Sequence, residues 1–261
     1  MLFRSQPHFE RGFIADSYAN RLGKGTHRAL NCATQFARRY KYVLQCDVVQ
    51  FFPSLDHAIL SQTLSKMLPD KSVHWMIERI LASGQGVLAD EYDMVYFPGD
   101  TLFAANRPRG LPIGNLTSQL WANCYMNPFD HFVKRELSCP AYLRYVDDFL
   151  LFGDDKKQLW RWREAILKRL ERFRLTIHEE NALVRPVTDG IPFLGFILFP
   201  EYRRLKPRKG YAYRRKLRHL LKTGLSEKIQ PSVRGWINHA RYGDTFGLRR
   251  ALLGESGILA R

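Results

Sequence analysis

The chain has 261 residues, 45% of them apolar, and a formal net charge of +16, enough to bury one large core or two modest ones. Its four cysteines, Cys32, Cys46, Cys124 and Cys139, are scattered without a CxxC pair, which argues against a zinc or disulfide framework and for a reducing, cytoplasmic compartment. The N-terminus MLFRSQPHFERGF lacks the continuous apolar run of a secretory leader, and IPFLGFILFP (191–200) is too short to span a bilayer, so no membrane partner is expected.

Residues 16–39 read as a polar loop leading into a helix with Leu30, Ala33, Phe36 and Ala37 on one side. YVLQCDVVQFFPSLD (42–56) reads as a buried strand running into a Pro-Ser turn. Residues 57–83 predict two helices interrupted at Pro69-Asp70, and the Gly- and Pro-rich residues 84–110 predict a loop and hairpin. After a Gly/Pro turn, 110–137 continues as a helix with Leu116, Leu120, Trp121, Cys124, Tyr125 and Phe129 near helical spacing. RYVDDFLLF (144–152) predicts a hairpin whose apolar arms meet at Asp147-Asp148. A charged helix over 156–173 and strands at LTIH and IPFLGFILF follow. This order predicts an α+β fold, a sheet with helices on one face.

Asp47 is the sole charge in YVLQCDVVQFF. A carboxylate in an apolar strand must be paired, hydrogen-bonded or bound to a metal; backbone amides or an Arg would serve as well as a cation. Asp147 and Asp148 are good turn formers, yet two adjacent like charges beside an apolar sheet call for a cation or raised pKa values. The functional reading brings the three carboxylates together as a site for hard divalent ions such as Mg2+. Two such ions suit phosphoryl transfer. Gly23-Lys24-Gly25-Thr26 does not satisfy the P-loop pattern, and the eight His residues show no metal-ligand spacing.

The charge is uneven. Residues 201–261 carry 16 Lys/Arg against 4 Asp/Glu, whereas the first 200 carry 25 against 21. The basic end also contains Tyr211, Tyr213, Trp236, Tyr242, Phe246 and regularly spaced Leu. Basic residues interleaved with aromatics suit phosphates and stacked bases, so nucleic acid is the expected partner. The basic face with Arg203, Arg204, Lys206, Arg208 and Lys209 is the candidate RNA-binding surface.

CDVVQFFPSLDH, GLPIGNLTSQ, RYVDDF and PFLGF stand in the order of the palm motifs of reverse transcriptases, and DSYANRLGKGTH resembles the motif upstream of the first catalytic strand. The chain is similar to this family nearly throughout, to a thumb-like WINHARYGDTFGLRRALL. IGNLTSQ looks most like the reverse transcriptases of diversity-generating retroelements. The resemblance implies a polymerase right hand, with an antiparallel palm sheet packed on helices. Residues 1–40 would be partial fingers, 41–200 palm with a fingers insertion at about 61–112, and 201–261 a basic helical thumb. It implies two Mg2+ ions on Asp47 and Asp147, supported by Asp148 and the Val48 carbonyl. Gln50, Phe51, Phe52 and Ile113 would meet the nucleotide, with Phe52 as a steric gate against ribose. Leu194-Gly195 would be the primer grip. It implies template RNA, a DNA or RNA primer, deoxynucleotides and a small basic oligomeric accessory protein as partners.

Fingers motifs normally precede DSYA in the family, so a chain that reaches Asp16 at once is expected to be N-terminally truncated. Asn181 in HEENALV stands where relatives carry a Lys able to protonate pyrophosphate, and Arg185 is a poor proton donor. A catalytically weak RNA-binding scaffold is thus one alternative, and an intron-type or phage-defence reverse transcriptase the other. Many relatives have Gln at Ile113, which can hydrogen-bond near the nucleotide. One such contact is worth roughly 0.5–1.5 kcal/mol, about 2- to 13-fold in discrimination. Ile113→Gln is therefore expected to lower misincorporation by about that factor, read by sequencing complementary DNA.

Overall fold

Side chains along a strand alternate between two faces, so pairing register decides which residues share a surface. The computed structural model describes residues 2–224 and 226–255. They form two compact units, one from residues up to Ala29 and Tyr42–Arg185, the other from Leu30–Lys41 and residues from Pro186 onward. The last residues of the expected thumb, 256–261, lie outside the described residues.

The first unit runs through α1 (Leu2–Arg11), the first turn of α2 (Thr26–Arg39), β1 (Tyr42–Asp47), α3 (Phe51–Ser54), α4 (His57–Met67), α5 (Lys71–Ser83) and α6 (Leu116–His131). It continues through β2 (Tyr142–Tyr145), β3 (Asp148–Gly153) and α7 (Lys156–Glu171), and β4 (Val184–Pro186) completes a sheet of order β2-β3-β1-β4. Helix starts follow from capping. Asp56, Asp70 and Asp155 accept backbone N–H groups at the heads of α4, α5 and α7, satisfying donors that a helix cannot satisfy itself.

β3 pairs antiparallel with both β1 and β2. On one face of these strands, Leu44, Cys46, Tyr142, Phe149 and Leu151 join apolar residues of α4, α6 and α7 in the main core. Phe149 is fully buried, its ring 5.3 Å from that of Phe129 and 6.2 Å from that of Tyr142. The register puts Gln45, Asp47, Tyr145 and Asp148 on the other face. The architecture is the expected α+β arrangement, antiparallel strands packed on helices.

Four local expectations need correction. Residues 84–110 form two 3-10 turns, Ala89–Glu91 and Leu102–Asn106, instead of a hairpin. Polar links tether this segment: Arg174 forks onto Asp100 at 2.8 and 2.6 Å, and Arg107 meets Asp56 at 2.7 Å. Pro53-Ser54 lies in the one-turn helix α3, where the Ser54 hydroxyl donates to the Gln50 carbonyl at 2.7 Å. LTIH contributes a single bridge, Val48 to Ile177. Leu116 is 64% exposed at the start of α6, while Leu120, Trp121, Cys124, Tyr125 and Phe129 are buried.

In the second unit, β5 (Ile191–Phe193), β6 (Phe196–Leu198) and β7 (Arg203–Leu205) form an antiparallel sheet, so IPFLGFILF is a hairpin. Helices α8 (Pro207–Lys222), α9 (Ser226–Ala240) and α10 (Phe246–Glu255) share a small core of Tyr213, Leu217, Val233, Leu252 and Leu253. Tyr213 stacks on Trp236 at 4.4 Å. Among the described residues no helix is long and apolar enough to cross a membrane.

Truncating Phe149 removes a ring from the centre of the larger core. Phe149→Ala is expected to cost about 3–5 kcal/mol in urea denaturation. Leu116→Ala is expected to stay within about 0.5 kcal/mol of the parent.

Candidate functional site

Tyr145 and Asp148 pair across the ends of β2 and β3, leaving Val146 and Asp147 as the turn. Val146 has φ +61°, a conformation that hairpin turns normally assign to Gly, Asn or Asp and a β-branched residue adopts only under strain. Such strain costs roughly 1–3 kcal/mol and persists only where the surroundings impose it. Here the Val146 carbonyl accepts from Arg144 Nη1 at 2.9 Å. Arg144 and Asp130 are both fully buried. The Arg144 Nε and Nη2 fork onto Asp130 Oδ1 and Oδ2 at 2.8 and 2.7 Å, and Nη1 also reaches Asn123 Oδ1 at 3.2 Å. The Tyr142 hydroxyl donates to the same Asp130 carboxylate at 2.6 Å. Burial is the largest single influence and opposes the charge on Arg144, yet Asp130 and Tyr142 together hold the guanidinium pKa above its ordinary value. Residues 16–18 run beside β2: the Arg144 N–H donates to the Asp16 carbonyl at 2.9 Å, and the Tyr18 N–H to the Arg144 carbonyl at 3.0 Å.

Asp47 is exposed and Asp147 half-buried. Partial burial and then the charge of Asp147 raise the Asp47 pKa, with His178 pulling the other way. Burial also raises Asp147, against backbone N–H groups and Arg144. Each is thus a hard oxygen donor whose charged form is disfavoured first by burial. Asp148 differs, since its carboxylate accepts from Gln45 Nε2 at 3.1 and 3.3 Å. Among the described residues no three His, Cys, Asp or Glu gather to hold an ion, although Asp148 stands directly opposite Asp47 in the β1–β3 register. Two carboxylates nevertheless fit Mg2+, which commonly binds one or two protein carboxylates and completes its octahedron with water and substrate phosphates. Val48 is buried, and its N–H donates to the Asp147 carbonyl at 3.3 Å. The Asp47 carbonyl accepts from the His178 N–H at 3.0 Å.

Gln50 has φ +44°, and its side-chain amide exchanges two hydrogen bonds with Asp93 at 2.8 and 2.9 Å. Phe51 is buried and Phe52 half-buried, their rings meeting edge-on at 5.5 Å. The Leu111 N–H donates to the Phe52 carbonyl at 3.0 Å, which brings the GLPIG turn to α3. Ile113 in that turn is 63% exposed.

In the second unit, Leu194 and Gly195 have φ +46° and +88° and form the tip between β5 and β6, the pair of positive φ values that a type I′ hairpin demands. The Gly195 carbonyl accepts from the Lys206 N–H at 2.9 Å. Arg204, Arg208 and Lys209 are exposed and Lys206 half-buried. Arg203 is engaged inside the unit instead, donating to Thr34 Oγ1 at 2.8 Å and Asn31 Oδ1 at 2.9 Å.

Sequence reasoning passed over Asp130, Asn123, Tyr142 and the role of Arg144. The available signal was two charges in apolar runs, Arg144 in LRYV and Asp130 in NPFDHF, since a charge at a core-facing position needs a partner.

The sequence matches the family profile described as reverse transcriptase (RNA-dependent DNA polymerase) over residues 4–198. Protein YkfC of Escherichia coli (strain K12) is 23% identical over 233 aligned residues, covering 75% of this chain and 58% of that protein. The chain thus spans somewhat over half the length of this curated relative. Among solved structures, apo telomerase from Candida tropicalis truncated from its C-terminal domain aligns with a TM-score of 0.55 at 12% identity, over 78% of this chain and 44% of that one. Telomerase from Candida albicans in complex with the TWJ fragment of telomeric RNA gives 0.52 at 12% identity, over 77% and 37%. At such identity the likeness is one of fold.

The raised pKa values of Asp47 and Asp147 have a definite sign in stability. A carboxyl raised on folding contributes stability that is complete below its unfolded value, about 3.9, and is lost as pH rises through the folded value. In chelator, Asp147→Asn is therefore expected to raise Tm at pH 7, the gain vanishing below about pH 4. Thermal melts across pH check this, and divalent-ion binding should weaken in parallel as pH falls through the same range.

Proposed function

The chain belongs to the reverse transcriptase family, and from that premise we propose that it is an RNA-directed DNA polymerase extending a primer 3′-hydroxyl with deoxynucleotides on an RNA template. The observation that carries the reading is the placing of Asp47, the last residue of β1, beside the Val146-Asp147 turn, whose Asp147 carbonyl accepts from the adjoining Val48 N–H at 3.3 Å, with both carboxyls raised in pKa. Asp47 and Asp147 would hold two Mg2+ ions, with the Val48 carbonyl completing one set of donors. Two such ions, when bound, supply charge neutralisation for the attacking and departing oxygens. Asp148, opposite Asp47 and bonded to Gln45, would support the site.

In this reading residues 1–40 belong to partial fingers, 41–200 to the palm with its insertion at about 61–112, and 201–261 to the thumb. Phe51 packs in the core and Phe52 offers its ring as the steric gate, while Gln50 and Ile113 line the nucleotide's approach. Leu194-Gly195 acts as the primer grip, its glycine letting backbone come close to nucleic acid. Arg204, Lys206, Arg208 and Lys209 contact RNA phosphates. Lys206, Arg208 and Lys209 crowd the head of α8, where no acidic residue offsets them. The helix dipole disfavours cations there, and a phosphate would relieve the conflict.

We further infer the diversity-generating retroelement type from IGNLTSQ and from Ile113, which cannot supply the hydrogen bond of a Gln. Error-prone copying of a retroelement template RNA, a small basic accessory protein and a cytoplasmic setting belong to that inference. The test is primer extension on an RNA template with Mg2+. Asp147→Ala is expected to reduce extension by roughly 100-fold or more while leaving RNA affinity within about twofold. Equal RNA binding with no extension by either protein would favour the scaffold reading instead.

A further inference from the structure

We propose that Arg144 is a positioning residue for the candidate active site, acting through the Val146 carbonyl to hold the turn that presents Asp147. Only the activity arm of its test rests on the polymerase reading. Pairing register puts Arg144 and the acidic row on opposite faces of the sheet, so Arg144 cannot meet substrate from where it sits. It is fully buried, and all three of its guanidinium nitrogens have assigned work. Two fork onto Asp130, and the third reaches Asn123 and the Val146 carbonyl.

The Val146 carbonyl belongs to the peptide plane that also contains the Asp147 N–H. Fixing that plane sets the ψ of Val146 on one side and the φ of Asp147 on the other, next to a residue already held at φ +61°. The next carbonyl, that of Asp147, is held from β1 by the Val48 N–H at 3.3 Å. The turn is thus pinned at two successive carbonyls, one by a side chain of β2 and one by the backbone that follows β1. Asp130 and Asn123 keep the guanidinium from swinging away. Asn123 also donates to the Ala19 carbonyl at 2.9 Å, tying the clamp to the segment beside β2.

A purely structural role would be to fasten α6 to β2. Apolar side chains of similar volume fasten helices to strands at least as well as a buried ion pair does. No apolar side chain, however, can donate to the Val146 carbonyl. Lysine would not substitute, because a single ammonium cannot fork onto Asp130 and reach Val146 together.

This difference separates the two roles in the full chain. Arg144→Met/Asp130→Leu/Tyr142→Phe removes the buried polar set together, leaving neither the Asp130 carboxylate nor the Tyr142 hydroxyl orphaned. The readouts are hydrogen exchange at the Val48 amide, Mn2+ binding by electron paramagnetic resonance, and primer extension. In the triple variant, Val48 exchange is expected to accelerate while the β1–β3 ladder stays protected. Mn2+ binding should weaken by about 10- to 100-fold, the usual effect of losing a group that orients a ligand. Wild-type Val48 protection and Mn2+ affinity in a folded triple variant would overturn the proposal. Should that variant fail to fold, Arg144→Lys decides by the same two readouts. A parent chain that extends no primer, beside a variant with accelerated Val48 exchange, would sink the polymerase reading and leave the positioning role standing. If the parent binds no Mn2+, Val48 exchange alone decides.

Discussion

The buried pair of Arg144 and Asp130 is the interaction on which the first unit turns. A lone charge at either position would cost about 3–5 kcal/mol, so each residue requires the other. Asp130 lies near the end of α6 and Arg144 in β2, and their forked contact sets where the helix meets the strand. Tyr142, Asn123 and the backbone of Asp16 and Tyr18 are bonded to the same two residues. Because a guanidinium presents its donors in a fixed plane, satisfying Asp130 also aims one nitrogen at the Val146 carbonyl. Helix packing and turn geometry are thereby joined in one polar network.

Above that network sits a site that works against the stability of its own fold. Val146 holds a strained φ, and the carboxyl pKa values of Asp47 and Asp147 are both raised, first by burial. Both costs fall at the ends of β1, β2 and β3, where the apolar residues of the core face anchor the strands. Phe149 and Cys46 lie one residue from Asp148 and Asp47 and point into that core. Alternation along the strand lets adjacent residues serve opposite ends, one stabilising the sheet and the next presenting charge.

The second unit repeats this economy on a smaller scale. Leu194 takes a positive φ beside Gly195, so the tip carries a strained residue that a second glycine would have relaxed. Arg203 spends its guanidinium on Thr34 and Asn31, leaving the exposed cations on Arg204 and the first turn of α8. The strand alternation that turns Arg203 one way turns Arg204 the other.

Much of this was legible in the residues themselves. Pro69-Asp70 made the break between α4 and α5 visible, and Asp47 announced itself as the one charge in an apolar strand. The spacing of Leu120, Trp121, Cys124, Tyr125 and Phe129 marked α6 as a core helix, which the structure buries on all sides from Leu120 to Asn127. Other features were decided only when distant segments met. Asp148 looks equivalent to Asp147 in RYVDDF, but it lies in β3, directly opposite Asp47 and diagonal to Gln45, whose amide donates to its carboxylate, whereas Asp147 lies in the turn. Residues 84–110 carry turn formers without a periodic apolar run, and their path is set by Arg174 and Asp56, residues far along the chain. The pairing of Arg144 with Asp130 likewise depends on how α6 lies across β2. Periodicity and caps act between near neighbours and are written in sequence, whereas the partners of a buried charge are chosen by three-dimensional packing.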